Sequence, residues 1–295
     1  MRSKRFRTIL IFFRLIYKNK IFFVGFIIFL AYILMGTIGL LIVPYPSPSL
    51  ANPFNAFEPP SLKHFPLYIF GTDYEGEPLL PEIVWGTPFI LEVTTLASVI
   101  TIGVGLVLGL IAGFMGKIAD LILNTIFEIV LTIPGFPITL ILATIIHTNN
   151  PLILAGILSM FSWAGLAKAI RGFTYSMKKQ EYITMAKILG LSRRKIIFGE
   201  IIYPMSSYIL VHLFQDMMFY VFGLVALYTF GFLPLSNNNW GVILNFAISI
   251  GGAIYSPLGF WNLIIPLAVI IVYEIGLMMM SVGLQKFVDP RLREY

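Results

Sequence analysis

The sequence predicts an all-α, polytopic membrane protein with six transmembrane helices and both termini cytoplasmic. Three observations carry this reading. Of the 295 residues, 58% are hydrophobic and only 12% are charged, against roughly 45–50% and a quarter in soluble domains. The apolar residues gather into uncharged runs close to the ~20 residues that a helix needs to cross a bilayer. The basic residues fall almost entirely on one side of those runs. The chain contains no cysteine, which excludes disulfide-stapled scaffolds and cysteine-based metal or redox sites. A nucleic-acid binder would carry its net charge of +6 on a polar, solvated surface, and this composition has little of one.

A basic segment, residues 1–20, comes first and mixes Arg2, Lys4, Arg5, Arg7, Arg14, Lys18 and Lys20 with Phe6, Ile9, Phe13 and Ile16. That pattern suits a helix lying on an anionic membrane surface. The first transmembrane helix follows over 21–44. Its apolar run exceeds the 7–15 residues of a signal peptide, and no small-residue cleavage site follows it. An extracytoplasmic segment, 45–87, is rich in proline and acidic residues. A five-helix core, 88–284, comes next, and a cytoplasmic tail, 285–295, closes the chain.

Within the core, Val93–Gly116 is the second span and Ile129–Ile146 the third, kinked by Pro134 and Pro137. The polar turn His147-Thr148-Asn149-Asn150 leads to a fourth span, Pro151–Ala167. The fifth starts at about Ile201, and the sixth runs from about Phe260 to Leu284. Between these two, Pro234, Asn237-Asn238-Asn239 and Gly251-Gly252 mark an outer loop partly embedded in protein. With the N-terminus inside, every Lys and Arg except Lys63 falls on the cytoplasmic side. Glu58, Asp73, Glu75, Glu77 and Glu82 fall on the other. The net charge thus records orientation rather than an anionic partner.

The largest inner loop, 172–200, is the most informative. Ile183, Ala186, Ile188 and Leu189 recur near helical spacing, Gly190 is placed to end the helix, and Arg193-Arg194-Lys195 follow. This reads either as a docking helix for another protein or as a solvated connector resting on lipid headgroups.

The stretch Glu181, Tyr182, Thr184-Met185-Ala186 and Gly190 resembles the cytoplasmic loop of ABC importer permeases. Other segments resemble the oligopeptide/dipeptide/nickel-type branch of that family, and within it the second of the two paired permeases. They are Gly71-Thr72-Asp73 with Gly76, Gly113-Phe114-Met115-Gly116 with Asp120 and Glu128, and Trp163, Lys168 and Arg171-Gly172. Phe230-Gly231, Trp240-Gly241 and Asp289-Pro290-Arg291-Leu292-Arg293 complete the set. The resemblance implies a type I ABC-importer permease architecture, in which residues 181–190 form the helix that meets the ATPase. It also implies a homologous second permease, two cytoplasmic ABC ATPases and an extracytoplasmic substrate-binding protein. Gly71, Thr72, Asp73 and Trp240 are then expected at the binding-protein face. Glu77-Pro78, Glu82, Pro88, Met278 and Val282 depart from the branch's polar pattern, so the implied cargo is an oligopeptide, a dipeptide or an oligosaccharide.

Inside the spans, His212 and Asp216 lie four apart with Gln215 beside them, which puts the first two on one helix face. They line a translocation path, or they fasten the fifth helix to a neighbour. Gly105, Gly109 and Gly113 permit close packing of the second span. The sequence has no phosphate loop, no zinc-ligand spacing and no nucleophile elbow, so no cofactor, metal or catalytic group is expected. An ion-gradient-driven transporter and a membrane-embedded enzyme are the competing classes.

Overall fold

A computed structural model describes residues 19–63, 65–236 and 238–288. Among them all regular structure is helical, apart from one isolated bridge between Thr72 and Pro78. The expected interfacial segment and the Asp289–Arg293 tail lie outside the described residues.

Helix α1, Lys20–Met35, is capped by Asn19, whose Oδ1 accepts from the Phe22 amide at 3.1 Å, and it continues after a break as a turn at Gly39–Ile42. Helix α2, Leu79–Met115, has 37 residues. At ~1.5 Å per residue it measures about 55 Å and overshoots the ~30 Å hydrocarbon layer. It begins well before Val93, inside the stretch expected to be an extracytoplasmic loop. The reason is burial: Leu79, Ile83, Val84 and Phe89 are enclosed by the chain, so the first turns are held by packing rather than by lipid.

Two spans are broken. Helices α3 (Lys117–Thr132) and α4 (Gly135–Ile146) meet at 74°, with Pro134 at the joint as its missing amide requires. Helices α5 (Pro151–Ser159) and α6 (Trp163–Met177) meet at 59° without a proline. At that joint the Trp163 indole donates to the Met160 carbonyl at 2.8 Å, which satisfies a group the broken ladder leaves free. The short helix α7, Glu181–Ile188, precedes α8, Ile202–Thr229, which is entered through a wide turn at Ile196–Ile201. Helix α9, Trp240–Ser249, fills the expected embedded loop, and α10, Phe260–Val288, is the last.

Four helices are long and apolar enough to cross a membrane, and six spans result if each bent pair counts once. Contacts at the helix ends agree with that alternation. At one end the Tyr228 hydroxyl donates to Asn149 Oδ1 at 2.6 Å; at the other Lys178 Nζ donates to the Phe114 carbonyl at 2.8 Å. Leu41, Ile118, Leu121 and Ile145 stand outward, as lipid-facing side chains do.

Lipid supplies little hydrophobic drive between helices, so close backbone approach holds the bundle together. The Gly105–Gly109–Gly113 stripe of α2 packs within the chain, on α6. A Cβ at Gly109 would lie 2.6 Å from the Ala167 carbonyl oxygen. A second such contact joins α1 to α10, where a Cβ at Gly25 would lie 2.6 Å from the Gly276 carbonyl oxygen. Beside it Tyr32, Tyr273 and Trp240 form a buried aromatic hub, with ring centroids 4.9 Å apart for the two tyrosines.

Candidate functional site

Helix α7 forms as its sequence requires and ends in a complete cap. Gly190 adopts φ 75°, its amide donates to the Lys187 carbonyl at 3.0 Å, and the Leu191 amide donates to the Ala186 carbonyl at 3.0 Å. This paired closure needs a residue at ease in the left-handed region. The apolar residues of the helix do not share one face, however. Ile183 and Ala186 point inward, whereas Met185, Ile188 and Leu189 are 60%, 74% and 76% exposed, with Tyr182 beside them. Glu181 and Thr184 are exposed as well.

The inward face is tied to the spans. Ile183 and Ala186 join one cluster with Leu110 of α2, Leu166, Ile170 and Met177 of α6, and Ile196, Ile201 and Met205 at the entry to α8. Polar contacts reinforce it. Arg171 holds Asp120 through two parallel hydrogen bonds, one of them Nη2 to Oδ2 at 2.9 Å. Lys168 reaches Glu128 at 3.2 Å in an exposed pair that contributes little by itself. Phe127 meets Trp163 edge to face at 6.0 Å. Residues scattered through the sequence thus converge on one clasp of α3 and α6.

The fifth span shows polar residues at every fourth position. Tyr208 packs on Phe173 of α6 at 6.1 Å and on the His212 ring at 4.6 Å. One buried carboxylate oxygen of Asp216, Oδ2, meets no hydrogen-bonding partner among the described residues, and no ion pair between His212 and Asp216 is formed. The Tyr220 hydroxyl is hydrogen-bonded to Thr101 of α2. Gln215 projects away from this stripe and is exposed.

Gly71, Thr72, Asp73 and Trp240, expected to touch a binding protein, are all buried, Thr72 and Trp240 completely. Thr72 donates its hydroxyl to the Asn55 carbonyl and accepts from the Glu58 amide at 2.9 Å. Asp73 Oδ1 accepts from the amides of Glu75 and Glu77 at 2.9 and 2.7 Å. Asn262 of α10 donates to the Thr72 carbonyl at 2.6 Å, and the Trp240 indole donates to the Ile83 carbonyl at 3.2 Å. These side chains build the segment's interior; they do not form its contact surface. Burial raises the Asp73 carboxyl to about 6, because desolvation outweighs its backbone hydrogen bonds. Glu77 is raised too, by burial and by the charge of Asp73.

The role of Asn262 as a brace was missed in the sequence, since a lone asparagine at a helix start carries no pattern. Gly25, Gly276 and Gly283 were missed because they come from opposite ends of the chain. Small residues seven apart in α10 were the available signal.

Residues 105–294 match the family model of the binding-protein-dependent transport system inner membrane component. The chain is 28% identical over 287 residues to a dipeptide transport system permease protein, DppC, of Alkalihalophilus pseudofirmus, covering 95% of this chain and 89% of that one. It is 27% identical over 253 residues to a DppC of Lactococcus lactis, covering 85% and 71% of the two chains. To the oligopeptide transport system permease protein OppC of Bacillus subtilis it is 26% identical over 278 residues, covering 94% and 88%. A helical bundle with up to six spans and a match over most of its length lead to one conclusion: the chain belongs to the binding-protein-dependent transport system inner membrane component family.

Proposed function

We propose that the chain is one of two paired permease subunits in an ATP-driven importer of peptides. Two cytoplasmic ATPases drive it and an external binding protein delivers its cargo. The observation that carries this reading is α7. Its outward apolar face is unpartnered among the described residues, while its inward face joins one apolar cluster with residues of α2, α6 and the entry to α8. A push on the outward face therefore moves three spans together, as a rigid-body switch requires. The names borne by the relatives support peptides as cargo.

In this reading the end that carries α7, Lys178 and Arg193–Lys195 is cytoplasmic, following the positive-inside rule. The segment 45–78 with α9 forms the outer face, and the exposed parts of that segment meet the binding protein. The polar face of α8 borders the path. ATP hydrolysis belongs to the partner ATPases.

The absence of cysteine makes the test direct. A single cysteine at Met185 should cross-link to a co-expressed ATPase, and the reconstituted complex should take up peptide in a vanadate-sensitive way. Cross-linking to no ATPase, together with uptake that follows an ion gradient, would sink the reading.

A further inference from the structure

Helix α8 carries Tyr208, His212, Asp216 and Tyr220 at intervals of four, so the four side chains form one slowly turning stripe. Both ends of the stripe are anchored. Tyr208 packs on Phe173 and His212, and Tyr220 bonds to Thr101. The middle is not anchored: Asp216 Oδ2 is buried and without a hydrogen-bonding partner among the described residues. The basic side chains that do pair, Lys168 and Arg171, are engaged by Glu128 and Asp120. A half-buried carboxylate with one enclosed, unpartnered oxygen and no counter-charge is costly and marks a site awaiting one.

The chemistry of the surroundings narrows the ligand. Calcium takes six to eight oxygen ligands and magnesium demands a near-octahedral shell. Among the described residues no group of three metal-ligating side chains exists. One carboxylate with an aromatic side chain one helical turn to either side, His212 and Tyr220, suits a single positive charge on an organic group.

We propose that Asp216, flanked by His212 and Tyr220 one turn to either side, is a recognition site for an organic ammonium group. The ammonium is that of the cargo, an N-terminal amine or a lysine side chain. This rests on the peptide-importer reading for the source of the ammonium, and not for the site itself.

Two measurements on the purified, co-expressed complex test it separately. In the first, n-hexylammonium should stabilise the wild type and Asp216→Glu against heat, whereas hexanol should not. In Asp216→Asn the ammonium effect should vanish. An equal effect in Asp216→Asn would overturn the site. In the second, ATP-driven uptake of trialanine should fall roughly tenfold or more in Asp216→Asn, as loss of a charge-assisted contact implies, and recover in Asp216→Glu. Unchanged uptake would overturn the cargo role. Loss of permease pairing in Asp216→Asn would overturn the proposal in favour of a salt bridge to the second permease. A wild type that binds hexylammonium but takes up no peptide would instead sink the importer reading and leave the site standing.

Discussion

The two ends of the bundle treat their most distinctive residues in opposite ways. At one end the polar residues Thr72 and Asp73 are turned into the protein and satisfied by backbone groups of residues 55–77. At the other end the apolar residues Met185, Ile188 and Leu189 are turned outward. A polar motif has become scaffold, and an apolar stripe has become surface. Side-chain character alone therefore does not separate contact from framework. What separates them is whether the chain itself supplies the partner: hydrogen-bonding groups for Thr72, and nothing for Ile188.

The sharpest way to break this contrast is to remove the largest buried side chain of the first end. Trp240 is fully buried and bridges α9 to α2 through its indole bond to Ile83. Trp240→Ala should destabilise the protein by about 3–5 kcal/mol, the usual cost of deleting a buried large aromatic. Thermal unfolding of the detergent-purified chain reads the loss. Unchanged stability would mean that the segment is not scaffold at all.

Titration probes the same end more gently. The Asp73 carboxyl rises from 3.8 to about 6, so its ionised form is disfavoured by folding. That cost is fully present above about pH 6 and gone below the unfolded value of 3.8. At ~1.4 kcal/mol per unit it reaches about 3 kcal/mol at most. Acidification from about pH 7 to about pH 4.5 should thus stabilise the segment, with Glu77 acting in the same direction. Protection factors of the Glu75 and Glu77 amides should rise over that window in the wild type. In Asp73→Asn that rise should shrink, and an undiminished slope would show that Asp73 is not the group responsible.

The legible parts of the chain were those set by local rules. Uncharged runs marked the spans, Pro134 marked one break, and Gly190 marked the end of α7. The break between α5 and α6 was not legible, because it has no proline and is held by the Trp163 indole on Met160. Nor was the start of α2, since Glu82 and Glu92 interrupt the apolar run while tertiary burial carries the helix back to Leu79. At the site the residues of α7 were legible, but their facing was not. Ile183 and Ile188 are equally apolar, and only the cluster with Ile170 and Met205 decides which one turns inward.

The second end answers to smaller energies. Gly190 has φ 75° and open space where a Cβ would stand, so substitution costs backbone strain and no clash within the chain. Gly190→Ala should weaken the α7 cap by about 1 kcal/mol. The expected readout is reduced ATPase stimulation by cargo-loaded binding protein at normal expression. Gly190→Val, with a branched side chain at the same φ, should be worse. Equal coupling in both variants would detach the cap from the motor.

The smallest stability effect makes the strongest test. Ile188 is 74% exposed, so Ile188→Ser removes almost no packing within the chain. Surface changes of this kind stay within about 0.5 kcal/mol, and melting should not move. If the outward face of α7 is surface because its partner is another protein, the same substitution should release the ATPase from the purified complex. Trp240→Ala and Ile188→Ser then form a crossed pair: the first loses stability, and the second loses only its partner. Should Ile188→Ser keep the ATPase and instead lower the melting temperature, Ile188 would be packing within the chain, and the opposition between the two ends would disappear.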